Sequence, residues 1–210
     1  MPVTALEASS DVLQRARDLL TLDTSHVPKC VCEDLRRAAL VFGVASIDTY
    51  MHWAIGKRTF IKRLPSRLAQ VAVPFGSMLE IANASVEARK KGHPNRPQVR
   101  VRNVLNEKLL TMTFQKPADI EKGLLMIGVS NCWQKIAKVV VPAATASELK
   151  DRLGKLAHRR NKIAHEGDLT RQQRHHQLKR DEIKSSYVRV ELDWIESFVK
   201  ALDELGAAPA

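Results

Sequence analysis

Aromatic residues are scarce in this chain: Phe, Trp and Tyr together make up 5% of its 210 residues. A platform that reads single-stranded bases by stacking is therefore not expected. Cysteine is scarcer still, with Cys30, Cys32 and Cys132 as the three copies. So few thiols, odd in number, do not build a disulfide framework, and a reducing, cytoplasmic setting is expected. His26, Cys30 and Cys32 lack the paired Cys-x-x-Cys spacing of a zinc site, so no metal and no cofactor is expected. A glycine-rich phosphate loop and a serine-centred nucleophile elbow are both missing, which argues against ATP hydrolysis and acyl transfer. There is no internal repeat, and the opening stretch "MPVTALEASSDVLQRARDLL" carries acids, unlike a signal or transit peptide. Acids are the minority charge, at 23 against 34 Lys and Arg, for a net charge of +11. That balance points to a polyanionic partner, nucleic acid before an anionic membrane surface.

What the sequence has in quantity is apolar residues at three- and four-residue spacing. Helices are expected near 5–22, 28–57, 65–90 with a break or kink at Pro74, 97–115, 117–139, 145–166 and 187–205. Thr145 or Ser147 suits a helix N-cap, and Gly167 a C-cap. "KSSYVRVELDW" alternates β-branched residues and leaves room for a short strand. "AALVFGVASIDTYMHWAIG", residues 38–56, nearly has the length of a membrane span. Asp48 at its centre, with Ser46, Thr49 and His52, favours a buried bundle helix and no membrane. The expectation is an all-α bundle of about five to seven helices in a single domain over residues 1–210. Trp53, Trp133 and Trp194 lie in apolar helices, which suits core or dimer packing.

The stretch "HRRNKIAHEGD", residues 158–168, closes one of these helices. Leu149, Leu153, Leu156, Ala157, Ile163 and Ala164 form an apolar stripe, and Arg160 falls on it. A guanidinium there must meet an acid or line a cleft. Asp48, the one formal charge between Ala38 and Gly56, is a possible partner, with His52 one turn later on its face. A buried structural ion pair explains the same two charges without any chemistry. Asn161 and His165 share a face, which lets the amide orient the imidazole, a group able to exchange protons near neutral pH. The bare Arg-x4-His spacing is a weak signal, since Arg171 and His176 repeat it in the polar run "TRQQRHHQLKRDE".

The context of the first copy is more specific. "RNKIAHEGD" at a helix end resembles the HEPN superfamily of prokaryotic defence and toxin systems, whose hallmark is Arg, a polar residue, three residues, then His. Arg160, Asn161 and His165 match each element. "LRRAALVFGVASIDTYMHWAI" resembles the long early helix of the RiboL-PSP-HEPN branch, with Asp48 at that helix's acid and Tyr50 and His52 at its aromatic and histidine. The resemblance implies a HEPN-like bundle and a metal-independent endoribonuclease with Arg160, Asn161 and His165 catalytic and Asp48 and His52 supporting. It implies a homodimer through the motif helix and an antitoxin or other defence partner protein. It also leaves open a catalytically inactive RNA-binding or assembly module. A basic helical DNA-binding regulator is a further alternative, though no convincing recognition helix is visible.

In a second basic stretch, "ARKKGHPNRPQVRVR", the part "KGHPNRPQ" reads as a loop by its Gly and two Pro residues, and a basic loop is expected over 89–102. Arg89, Lys90, Lys91, Arg96, Arg100 and Arg102 are expected to track an RNA backbone, the alternative being a solvated loop. The Arg171–Arg180 segment would widen the same positive surface.

Overall fold

The structure, a computed structural model, describes residues 3–58, 64–92, 96–170 and 178–207. Among the described residues lie nine helices: α1 (Ala5–Thr21), α2 (Lys29–Lys57), α3 (Ser66–Ala69), α4 (Phe75–Lys91), α5 (Arg96–Leu110), α6 (Pro117–Met126), α7 (Cys132–Val139), α8 (Ala146–Glu166) and α9 (Ser185–Ala207). The protein is all-α, with somewhat more helices than the sequence suggested.

Helix starts follow local chemistry. Thr4 with Glu7, and Thr145 with Glu148, each form a reciprocal capping box that satisfies first-turn N–H groups. Pro74 precedes the first residue of α4, so the expected kink in 65–90 is a full break between α3 and α4. The expected helix 117–139 also divides. Gly128 (φ 92°) and Asn131 (φ 51°) take left-handed conformations between α6 and α7. The helix expected over 97–115 ends at Leu110, because Asp48 of α2 captures the Phe114 N–H at 2.6 Å and the Gln115 amide at 3.1 Å. That tertiary pull draws Phe114 fully into the core.

"KSSYVRVELDW" is no strand. Val188, Leu192, Ile195 and Val199 are spaced four, three and four apart and are all buried, so helical packing overrides β-branched alternation. Gly43 of α2 lets α9 approach closely, since a Cβ there would stand 2.5 Å from Leu192 Cδ2. The central α2 buries Leu40, Val44, Ile47, Met51 and Ile55 in one core cluster with residues of α1, α8 and α9. By length and composition α2 could cross a membrane, yet half of its most apolar window is buried inside the fold. Trp133 and Trp194 stack with Phe198 in that core, whereas Trp53 is 44% exposed.

Most described residues of 89–102 are helical rather than the loop expected there; residues 93–95 lie outside the described residues. Arg89, Lys90 and Lys91 form the last turn of α4, Gly92 (φ 65°) closes it, and Arg96 begins α5. α4 packs on α5, and α5 packs on α2.

Candidate active site at the end of α8

The motif helix α8 buries Leu149, Leu153, Leu156 and Ala157, so its first four turns are fixed by the core. The stripe then runs out into solvent: Ile163 is half-buried and Ala164 exposed. Gly167 (φ 59°) ends the helix in the left-handed conformation, as expected of a C-cap. Asp168 repeats that conformation (φ 60°), which Asp tolerates better than most side chains, and its N–H donates to the Lys162 carbonyl.

This turn sends the Asp168 carboxylate inward, where it is fully buried. Its Oδ2 accepts from Arg37 Nε of α2 at 2.9 Å and from Arg159 Nη2 at 2.7 Å. Asp181 adds a second acid. It accepts from Lys162 Nζ, from Thr170 Oγ1 at 2.8 Å and from Arg159 Nη1 at 3.4 Å. The hydrogen bond from the Lys162 ammonium, and then that from Thr170, hold the Asp181 carboxyl below its ordinary range. Arg37 Nη2 also donates to the Asp181 carbonyl at 2.9 Å, and the chain after α8 returns in an isolated antiparallel bridge between Leu169 and Arg180. The end of α8 is thus locked to α2 and to the segment before α9 by alternating charges centred on the buried Arg37 and Asp168.

Arg160 does not join that network. The sequence suggested an ion pair with Asp48, and among the described residues there is none. Arg160 Nη1 instead donates to Asn161 Oδ1 at 3.1 Å, and its buried Nε has no hydrogen-bond partner. Nor, among the described residues, does a hydrogen bond join the Asn161 amide to His165. Asn161 and His165 do share a cleft of about 420 Å³, with His158 and Lys162 on the same helix. Glu166 stands at the exposed rim, and Thr170 and Asp181 form the opposite wall.

Asp48 and His52 do come together, at 3.5 Å, with the imidazole edge-on to Phe114. Burial pushes the Asp48 carboxyl up most strongly. Hydrogen bonds from His52, the Phe114 N–H and Gln115 together outweigh burial and hold it below its ordinary range. Its work in the fold is to pin the 111–116 turn.

Of the expected RNA-binding set, Arg89 and Lys90 are exposed without an ion pair among the described residues. Lys91 meets Glu87 at 3.0 Å and Arg100 pairs with Glu80. Arg102 lies on α5, and the Arg96 side chain lies outside the described residues. The structure carries this set on α4 and α5, away from the core-packed length of α8. Arg171 and His176 lie outside the described residues, whereas Leu178, Lys179 and Arg180 are exposed.

The residues that sequence reasoning missed are Arg37, His158, Arg159, Asp168 and Asp181. One signal was available: an acid directly after a C-cap glycine, beside tandem arginines. Comparison with family models, curated proteins and solved structures gives no match.

Proposed function

We propose that the chain is a metal-independent endoribonuclease of the HEPN type, acting in the cytoplasm in a toxin–antitoxin or phage-defence setting. The observation that carries this reading is the arrangement at the end of α8. There an arginine with an unpartnered Nε supports an asparagine in a cleft that also holds an exposed histidine. Arg159 and Lys162 donate to Asp168 and Asp181, whereas Arg160 meets no acid among the described residues and in this reading is the guanidinium left for an anion.

In this reading RNA provides the anion. A neutral imidazole takes the proton of a ribose 2′-hydroxyl, and the oxygen attacks the adjacent phosphorus. Arg160 stabilises the growing charge on the phosphate oxygens. A protonated imidazole gives its proton to the departing 5′-oxygen. The products are a 2′,3′-cyclic phosphate and a 5′-hydroxyl. A homodimer through α8 would bring two motif histidines together. An antitoxin or other defence protein is the further partner expected.

The test is incubation of the purified chain with total RNA in EDTA. Fragments ending in 2′,3′-cyclic phosphate are expected. Binding without cleavage would leave the inactive RNA-binding or assembly module. Preference for duplex DNA would favour the basic helical regulator.

A further inference from the structure

The dimer reading takes its second imidazole from another chain, yet α8 already carries one on the same face. His158 stands two turns before His165, and both line the cleft with Asn161 and Lys162 between them. Positions separated by three, four and seven residues share a helix face. Both histidines are exposed. Two helical turns place their Cα atoms about 10 Å apart. That spacing lets the two side chains flank one phosphate, with an imidazole on either side of its phosphorus.

We infer that His158, Asn161 and His165 of a single chain form one phosphate subsite, with His158 as its second imidazole. The polar groups around it fit that task. Asn161 turns its oxygen to Arg160, which leaves its Nδ2 donors for the cleft. Lys162 and Thr170 occupy the Asp181 carboxylate and reduce its repulsion of an anion. Glu166 sits at the exposed rim, where water screens it. The chemical step rests on the ribonuclease reading; the binding does not. In that step one imidazole accepts the 2′-hydroxyl proton as the 2′-oxygen bonds to phosphorus. The other gives a proton to the 5′-oxygen as its bond to phosphorus breaks. Charge and protons balance without a co-reactant.

The experiment is a titration of the full chain, labelled at histidine, with inorganic phosphate, following each imidazole Cε1–H signal by NMR. His158→Asn and His165→Asn proteins assign the signals. The His158 and His165 signals are expected to shift together with one midpoint, while His26 stays still. A His158 signal that does not move, or that moves with a separate midpoint, overturns the subsite. Cleavage is read separately. If the wild-type chain cleaves RNA, His158→Ala should lose about 10²-fold or more in rate. Full activity in that variant would also overturn the inference. If the wild-type chain cleaves nothing while both signals shift, the ribonuclease reading fails and the subsite stands.

Discussion

The end of α8 and the hairpin of α4 and α5 are both strongly basic in sequence, and they fold in opposite ways. At α8, Arg37, Arg159 and Lys162 are gathered onto Asp168 and Asp181, and only then is Arg160 left over. In α4 just Ala88 is buried, its acids meet Lys91 and Arg100 near the surface, and Phe75, Met78 and Leu79 stand exposed. A buried acid costs desolvation energy but fixes the geometry around it, while surface pairs are worth little and hold nothing in place. Aiming a guanidinium at a reacting phosphate needs the first arrangement. Attracting a long polyanion needs only the field of the second. The comparison predicts that changes at α8 act on chemistry or stability, and changes at the hairpin on affinity.

The largest effect is expected at the motif. His165→Ala and Arg160→Ala should each lower RNA cleavage by about 10²–10⁴-fold, the range for losing a proton-transfer or charge-stabilising group. His165 is exposed and Arg160 outside the buried charge network, so melting temperatures should barely change. His176→Ala should cleave normally. Equal loss at His176 would move the site to the second Arg-x4-His copy and dissolve the contrast.

Next in size is Asp168→Asn. Asparagine also accepts the left-handed backbone at φ 60°, so the substitution isolates the charge. Arg37 and Arg159 would lose their shared buried partner, at a cost of about 3–5 kcal/mol. Chemical denaturation should read this as a fall in the midpoint. An unchanged midpoint would mean that the α8 end is held by its apolar contacts alone.

Asp48→Ala should cost less, about 1–3 kcal/mol, because it strands the Phe114 N–H and the Gln115 amide rather than a buried cation. The carboxyl is held below its ordinary value of 3.8, so its contribution is present above that pH and lost as pH falls through the lower folded value. Stability between wild type and Asp48→Ala should therefore converge in acid. A gap that persists below that window would place the effect in packing instead.

The helices were legible because each carries a one-sided apolar period and several carry caps. Thr145, Glu148 and Gly167 sit where those signals put them. The pairing of charges was not legible. Two lone charges, Asp48 and Arg160, invited each other in sequence, but the competitor for Asp48 was the Phe114 backbone N–H, which no side-chain pattern marks. Likewise, nothing local in "HRRN" says which arginine turns inward; Arg159 does so because Asp168 and Asp181 wait there after the chain reverses. Asn161 and His165 share a face as their spacing indicated, but the Asn161 oxygen is turned to Arg160. His158 went unnoticed because a face shared over two turns gains meaning only once an opposite wall, Thr170 and Asp181, makes it a cleft.

The smallest and most graded effect belongs to the hairpin. Arg89 and Lys90 are exposed at the last turn of α4, where a helix C-terminus already favours cations, and neither is tied to an acid among the described residues. Reversing both to glutamate should leave the fold intact, because no buried partner depends on them. If RNA passes along this turn, each lost phosphate contact flattens the log–log dependence of binding on salt by about 0.7 for single strands. Two contacts should therefore lower the slope by about 1.4. Cleavage of a short substrate that reaches only α8 should stay near the wild-type rate, while a long RNA should require a higher concentration. Fluorescence anisotropy across a salt series measures the slope, and paired short and long substrates measure the division of labour. A slope that does not change would make the hairpin a solvated projection and leave RNA capture to the end of α8. Equal loss on both substrates would show that α4 reaches the cleft itself, and the two basic regions would then be one.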